Sequence, residues 1–213
     1  MSRATTAFVI GNGTSRKPID LHQLRKNSPP NSKIYGCNAV YREFEPDYLV
    51  AVDTKMVNEI NRSGWQLTHE VWTNPNRAYK TFNKFNYFEP SLGWSTGPTA
   101  LHLASEESHN NQDIYILGFD YEGLNSKLNN IYAGTENYKP ADATATYHGN
   151  WARQTGIVIQ KNPNKRYIRV AQERESFLPD NLKVWANLHH MTCLLYTSPS
   201  PRDATLSRMP SSA

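Results

Sequence analysis

The sequence predicts one α/β domain built on an open parallel sheet with helices on both faces. Short apolar segments of the kind that form buried parallel strands alternate with segments of helical periodicity. Glycine, asparagine or aspartate follows several of the apolar segments directly. The chain of 213 residues is long enough for one domain with a sizeable core and too short for two domains of ordinary size.

Six apolar segments are predicted to be strands, because they are rich in β-branched, aromatic and leucine residues and end at turn-forming residues. They are Ala7–Ile10, Lys33–Asn38, Tyr48–Asp53, Glu70–Asn74, Asp113–Gly118 and Arg166–Val170. Strands that alternate with helices are typical of βαβ units, so we expect a parallel, Rossmann-like sheet.

Helices are predicted in the segments between these strands. The clearest one opens at Ser95–Pro98, where Thr96 is expected to be the cap and Pro98 suits the first turn, and its apolar residues continue to Ala104. The others are Asp20–Lys26, Thr54–Arg62 and Asn150–Gln160.

Two segments depart from this alternation. Tyr121–Tyr147 is rich in Asn, Gly, Thr and Ala, and a loop of this length in a compact domain is typically a lid, a binding loop or disordered. Residues 189–213 have no periodicity that would enter a core, so they are predicted to be a non-native or disordered tail. The domain is therefore expected to span residues 1–188.

Composition narrows the class of protein. Hydrophobic residues make up 38% and charged residues 20%, which indicates a globular chain. Lys and Arg are scattered despite a net charge of +4, so nucleic acid is not an expected partner. No apolar run approaches the roughly 18 residues of a membrane span, and no secretory signal is visible, so we expect a cytoplasmic protein. Cys37 and Cys193 are too few for a disulfide framework.

A glycine-containing turn follows the first predicted strand. Gly11, Asn12 and Gly13 are followed by Thr14 and Ser15. Glycines let a backbone approach a phosphate, and the amides after them are predicted to donate to it. The spacing matches neither a dinucleotide-binding turn nor a Walker loop, so an ordinary strand-to-loop turn is the alternative.

Polar side chains also follow the next predicted strands. Asn38 ends the second strand, Asp53 ends the third, and Asp120 and Tyr121 follow the fifth. Ligands of open α/β sheets bind at the carboxyl ends of the strands, so we expect these residues to converge on a nucleotide site. An asparagine can donate and accept, which suits a base edge or a ribose hydroxyl. The alternative is that each residue closes its own turn.

Two further features suit binding or catalysis. Ser95, Thr96 and Gly97 at a predicted helix N-terminus form either a second anion site or a plain cap. His148 lies between the lid-like loop and the next helix, where an imidazole could be a general base or a capping residue. No Cys/His cluster has zinc spacing and no aspartate pair suggests a divalent cation, so neither a metal nor another cofactor is expected.

Taken in order, these motifs resemble those of bacterial lipooligosaccharide sialyltransferases over roughly residues 7–170. The resemblance rests on Gly11–Gly13 with Ser15, Asn38, Ser95–Gly97, Ile114–Tyr121 and His148. Related N-terminal motifs occur in the pterin-pyrophosphokinase-like family. The strings Tyr35–Asn38 and Gly118–Tyr121 are most similar to those of uncharacterised bacteriophage proteins, whose site of action would be the host cytoplasm.

The resemblance implies a metal-independent, inverting glycosyltransferase with a CMP-activated sugar as donor and a glycan or another hydroxyl compound as acceptor. It implies that Asn12 and Asn38 contact the cytidine monophosphate and that Gly13 lets the nucleotide approach the backbone. Thr96 and Gly97 would then hold the carboxylate of the sugar.

The same resemblance assigns the chemical step. His148 would take the proton of the acceptor hydroxyl. Tyr138 or Tyr147, in the lid-like loop, would donate a hydrogen bond to the departing phosphate.

Several positions depart from that family's pattern. Thr14 replaces a usual proline, Gly36 a basic residue, Gly93–Trp94 an arginine, and Asp53 an asparagine. A carboxylate at position 53 would repel a phosphate or an acidic sugar, although it could bind a ribose hydroxyl. Two alternatives stay open: magnesium-dependent pyrophosphate transfer to a pterin-like alcohol, with Asp53 and Asp120 as ligands, and a phage-associated binding or structural module without turnover.

Overall fold

A computed structural model describes residues 4–123, 125–171 and 177–192. Eight strands form one sheet in which every neighbouring pair is parallel. The strands are β1 Ala4–Ile10, β2 Lys33–Cys37, β3 Tyr48–Val50, β4 Val71–Thr73, β5 Phe85–Tyr87, β6 Ser108–Leu117, β7 Arg166–Ala171 and β8 Leu188–Thr192. The predicted α/β fold on an open parallel sheet is confirmed.

Helices cover both faces of the sheet. Ala7 and Val9 of β1 lie in one buried cluster, whereas Phe8 and Ile10 lie in a second cluster on the opposite face. The first cluster contains apolar residues of the helices at Thr96–Glu107 and Gly149–Lys161, and the second contains those of the helix at Leu21–Asn27. The helices are α1 Leu21–Asn27, α2 Thr54–Ser63, α3 Thr96–Glu107, α4 Gly149–Lys161 and α5 Asp180–Lys183. In the described part of the chain, no helix is long and apolar enough to cross a membrane.

The order of the strands creates a switch point beside β1. Along the sheet the order is β5-β4-β3-β2-β1-β6-β7-β8. The chain therefore runs outward from β1 to β5 on one side and returns to add β6, β7 and β8 on the other side. Where two neighbouring strands send their connections in opposite directions, their loops separate and leave a crevice at the carboxyl edge. In this sheet the crevice lies between the ends of β1 and β6.

The start of α3 differs from the expectation. Ser95, not Thr96, occupies the cap position, and Thr96 is the first helical residue. The predicted Thr96 cap is wrong because its hydroxyl donates to Asn38 Oδ1 at 3.1 Å, across the sheet edge. A contact with a distant loop has replaced the local capping bond.

Two strands are absent from the prediction. β5 has only three residues, and β8 is an edge strand whose central residues, His189 and His190, are exposed. Neither segment carries an apolar run, which is the pattern that revealed the inner strands. β8 pairs with β7 up to Thr192, so the domain extends past the expected boundary at 188. The rest of the predicted tail, 193–213, lies outside the described residues.

The lid-like insertion packs against the body of the domain. Its backbone is mostly turns, with one antiparallel bridge between Lys127 and Thr144. The amide of Ile131 donates to the carbonyl of Asn12 at 2.9 Å. Tyr132 belongs to the buried cluster around α2. The insertion therefore lies across the carboxyl edge of the sheet, next to the switch point.

Candidate functional site

A pocket of about 710 Å³ opens at the carboxyl edge of the sheet, beside the switch point. Its volume is in the range of roughly 300–1,000 Å³ that is usual for small-molecule sites. Each of five strands contributes an amide or carboxylate side chain from the residues that follow it. These are Asn12 after β1, Asn38 after β2, Asp53 after β3, Asn74 after β4 and Asp120 after β6.

Most of the residues that the sequence singled out line this pocket. Besides the strand-end residues, they are Gly11, Gly13, Ser95, Thr96, Gly97, Tyr121 and Tyr138. Ser15, Tyr147 and His148 do not line it. The fold thus brings most of the predicted binding residues together, and the predicted base, His148, is not part of the lining.

Three amides of the turn after β1 already have acceptors within the protein. The amide of Gly13 donates to a carbonyl in the turn after β6 at 2.9 Å. The amide of Thr14 donates to Asn129 Oδ1 at 2.8 Å, and that of Ser15 to Asp120 Oδ2 at 2.9 Å. The amides of Gly13, Thr14 and Ser15 are therefore already used. For these three amides the expectation of phosphate binding is corrected, because protein oxygens accept from them in the place of an anion.

Asn38 joins the ends of β2, β3 and α3. Its backbone is left-handed, with a φ of 52°, a conformation that asparagine tolerates better than most residues. Its side chain accepts from the Thr96 hydroxyl and hydrogen-bonds to the carboxylate of Asp53. The Thr96 oxygen also accepts from the amide of Val52 at 3.4 Å. This chain of hydrogen bonds fixes the floor of the pocket.

The carboxylate of Asp53 is open to the pocket. Asp53 stands at the N-cap of α2, yet its side chain makes no capping hydrogen bond. The surrounding walls remove part of its hydration and raise the pKa of the carboxyl above its ordinary value, and the hydrogen bond from Asn38 offsets part of that increase. No Lys, Arg or His of the described residues forms an ion pair with it.

The first turn of α3 presents unused donors. Within the described ranges, the amides of Thr96 and Gly97 have no protein acceptor, whereas the Ser95 amide donates to Gln154 Oε1 at 3.0 Å. All three residues face the pocket. Because the N-terminus of a helix carries partial positive charge and free amides, this turn is the part of the pocket best suited to an anionic group.

Tyr138 brings the insertion into the pocket. Asn12 Nδ2 donates to its hydroxyl at 3.1 Å. Burial raises the pKa of Tyr138, so its phenol stays protonated and can donate to an occupant. Tyr121 differs, because its hydroxyl is buried and donates to Thr155 at 3.2 Å, and burial raises its pKa to about 12. Tyr121 is therefore a wall of the pocket.

His148 lies at the rim. It occupies the N-cap position of α4, with its ring 5.4 Å from that of Tyr147 and 5.3 Å from that of Phe177, between centroids. Tyr147 is 78% exposed. Asn150 and Trp151, which follow on α4, do line the pocket. The imidazole is therefore a neighbour of the pocket's outer wall.

Sequence reasoning missed several of the lining residues. They include Asn74, Trp94, Asn129, Trp151 and Gln154. Asn74 carried a usable signal, because it follows a predicted strand in the same way as Asn38. The others lie on loops and on α4, and their approach to the pocket depends on how those elements pack.

The described residues that line the pocket are rich in amides and aromatic rings. No Lys, Arg or His occurs among them, and their formal charges come from Asp53 and Asp120. In the part of the chain that the structure describes, no group of three or more His, Cys, Asp or Glu side chains could hold a metal ion. An occupant is therefore bound mainly by neutral hydrogen bonds and by ring stacking.

Comparisons of the chain with protein-family models, with curated proteins and with solved structures gave no significant match. What the molecule does is therefore argued from the chemistry of the pocket.

Proposed function

We propose that the protein is a sialyltransferase-like glycosyltransferase that takes a nucleotide-activated sugar, of the CMP type, in the pocket at the switch point. The observation that carries the proposal is the convergence of strand-end amides and carboxylates with the free N-terminal amides of α3 in one pocket. Parallel α/β sheets bind nucleotides at this edge. Amide side chains match the donor and acceptor groups of a base and a ribose.

In this proposal the phosphate of the donor binds at the first turn of α3. The amides of Thr96 and Gly97 are free to donate to it, and the helix N-terminus favours its charge. The turn after β1 is the less suitable place, because its amides already donate to protein oxygens. Asn12 and Asn38 then contact the nucleoside from the neighbouring strand ends.

The transfer step needs one donor at the phosphate and one base at the acceptor. The acceptor oxygen attacks the anomeric carbon as the bond from that carbon to the phosphate oxygen breaks, and the nucleotide leaves with the electron pair. Tyr138, protonated because its pKa is raised, donates a hydrogen bond to the departing phosphate. His148 at the rim takes the proton of the acceptor hydroxyl, so the acceptor enters past the start of α4.

Nucleotide binding is the first test. Thermal unfolding is followed with cytidine, adenosine and uridine monophosphates, and at about 100 times the dissociation constant a ligand adds roughly 2.7 kcal/mol to stability. We expect stabilisation by the cytidine nucleotide and its loss in Asn38→Gly. Glycine tolerates the left-handed φ of position 38, so this variant removes the side chain without backbone strain. No shift with any nucleotide, from folded protein, contradicts the proposal.

The role of His148 has a separate test. In His148→Ala we expect a loss of sugar transfer of about 100-fold or more, with unchanged binding of cytidine monophosphate. Tyr147→Ala is the control, because its exposed ring also lies next to His148 but has no proton-transfer role in the proposal. Full activity of His148→Ala would mean that another group is the base.

A binding module without turnover is the second candidate. The position of His148 outside the residues that line the pocket favours it. In that case nucleotide binding is retained, but no transfer to any acceptor occurs in a screen with CMP-activated sugars. A screen that finds transfer rules out this candidate.

A further inference from the structure

The Asp53 carboxylate lines the pocket and does not make the hydrogen bond that its position at the start of a helix predicts. An aspartate at an N-cap ordinarily accepts a hydrogen bond from an amide of the first helical turn. The Asp53 side chain makes no such bond in α2. Asp20, at the N-cap of α1, does cap its helix and accepts from the amides of His22 and Gln23. The Asp53 carboxylate instead faces the pocket.

The partners of this carboxylate leave most of its hydrogen-bonding capacity unused. In the described ranges Asn38 is its side-chain hydrogen-bond partner, and it has no ion pair. An ionised carboxylate only accepts, through two oxygens with about four lone-pair sites. The other carboxylate of the pocket, Asp120, accepts from the Ser15 amide and thereby holds the turn after β1. Asp53, which is exposed at the pocket, is therefore the carboxylate whose oxygens are available to the donors of an occupant.

Two other residues that line the pocket add acceptor groups. Asn12 Oδ1 and Asn74 Oδ1 are buried acceptor atoms without a hydrogen-bond partner, and both residues line the pocket. Among the described residues that line the pocket there is no Lys, Arg or His. A neutral group that carries hydrogen-bond donors therefore suits the space beside Asp53, and a sugar ring with neighbouring hydroxyl groups has both properties.

We propose that Asp53 accepts hydrogen bonds from the 2′- and 3′-hydroxyls of a ribose, so that it makes the pocket selective for ribonucleotides over deoxyribonucleotides. This inference rests on the proposed nucleotide site. Asn38 links Asp53 to Thr96, at the turn of α3 assigned to the phosphate. In a nucleoside 5′-phosphate the ribose ring is joined to the phosphate through C5′ and O5′, so the two groups bind close together. The transferred sugar is the weaker choice, because a CMP-type donor carries an acidic sugar that a carboxylate repels.

The experiment compares binding of cytidine monophosphate and 2′-deoxycytidine monophosphate by calorimetry. We expect the wild type to prefer the ribonucleotide by about tenfold, as a hydrogen bond to a charged acceptor is lost in the deoxy compound. Asp53→Asn should weaken the ribonucleotide about tenfold and bring the two affinities within twofold of each other. Asp53→Ser is the second variant, because serine is equally suited to the N-cap position and keeps the start of α2.

Asp120→Asn is the matched control. It removes the same charge from the same pocket, and its amide oxygen can still accept from Ser15, so we expect it to keep the preference for the ribonucleotide. Equal affinity of the wild type for the two nucleotides, or a preference that survives in Asp53→Asn, overturns the ribose assignment and leaves the proposed transferase standing. Failure of the wild type to bind either nucleotide overturns both proposals.

Discussion

Gly11 and Gly118 meet through their backbones at the switch point. A Cβ atom on Gly11 would lie 2.6 Å from the Gly118 carbonyl oxygen and 2.9 Å from the ring of Phe119. Gly118 has a φ of 68°, and a Cβ there would lie 2.8 Å from the Gly11 carbonyl oxygen. Glycine is required at these positions because two loops of the protein approach each other, a reason different from the expected approach of a phosphate.

Gly11→Ala is therefore expected to lower the free energy of unfolding by about 2–3 kcal/mol, because the nearest atom belongs to a backbone that cannot rotate away. Urea denaturation measures the effect. Gly134→Ala is the comparison: unlike Gly11, Gly134 has a left-handed φ, of 79°, but no atom lies within 4 Å of the added Cβ, so a loss of about 1 kcal/mol is expected. A smaller loss at Gly11 than at Gly134 would contradict the packing argument.

The hydrogen bonds of the Thr96 hydroxyl can also be tested by a single substitution. In Thr96→Val the shape is kept, but the Val52 amide and the Asn38 side chain each lose a partner. We expect a loss of stability of about 1–2 kcal/mol and weaker binding of cytidine monophosphate. Thr99→Val, one turn later, removes a hydroxyl bonded only to the Ser95 carbonyl at 2.9 Å. It should affect stability alone, and an equal loss of binding would argue against a special role of Thr96.

At the scale of elements, the Glu59 carboxylate links the lid-like insertion to the rest of the domain. Glu59 on α2 is buried and accepts from Arg42, from Tyr41 and from Asn137 of the insertion. Arg42 also donates to the Thr135 hydroxyl at 2.9 Å. Burial by itself would raise the pKa of Glu59, but these hydrogen bonds outweigh it and hold the pKa below its ordinary value.

The contribution of Glu59 to the free energy of unfolding is expected to depend on pH, because the pKa of Glu59 is lowered in the folded protein. A carboxyl with a lowered folded pKa contributes stability above its unfolded value, near 4.5, and loses that contribution as the pH falls through the folded value. At pH 7 we expect Glu59→Gln to be less stable than the wild type by roughly 2 kcal/mol, and we expect the difference to shrink below about pH 4.5.

Denaturation curves between pH 7 and pH 3 measure that difference. Glu136→Gln is the control, because Glu136 pairs with Arg62 on the surface and exposed ion pairs contribute little. A difference for Glu59→Gln that stays constant with pH would show that the carboxylate charge is not what holds the insertion.

At the scale of the whole molecule, the sheet order determines where the site lies. β1 is central, is buried on both faces and ends at the crevice between two outward-running halves of the sheet. β8 closes one edge by pairing with β7 from Tyr167 to Ala171. The far edge at β5 is formed by only three residues. The pocket thus belongs to the middle of the sheet, where the strands have neighbours on both sides.

The edge strand gives a prediction about truncation. A chain that ends at Thr192 retains the β7–β8 pairing and is the reference for this comparison. A chain that ends at Asn187 loses β8 and leaves one edge of β7 unpaired, so we expect its melting temperature to fall by several degrees. Calorimetry compares the melting temperatures of the full chain and the two truncated chains. Equal melting temperatures would mean that β8 does not stabilise the sheet.

The sequence by itself determined the fold class, the inner strands and the edge of the sheet where the polar residues collect. Buried parallel strands are short apolar runs, and the residues after them are types that form turns. Both features can therefore be recognised from short stretches of sequence. Asn12, Asn38, Asp53 and Asp120 could be placed on one edge for that reason. The short strand β5 and the polar edge strand β8 carry too little of this pattern.

Only the tertiary structure decided which groups of the site remain available. It showed that Asp120 and Asn129 occupy the amides after β1, that the amides at the start of α3 are free, and that His148 lies at the rim. The acceptor of the Ser15 amide stands 105 residues further along the chain. The partner of a hydrogen bond is set by distance in space, and a single sequence records only distance along the chain.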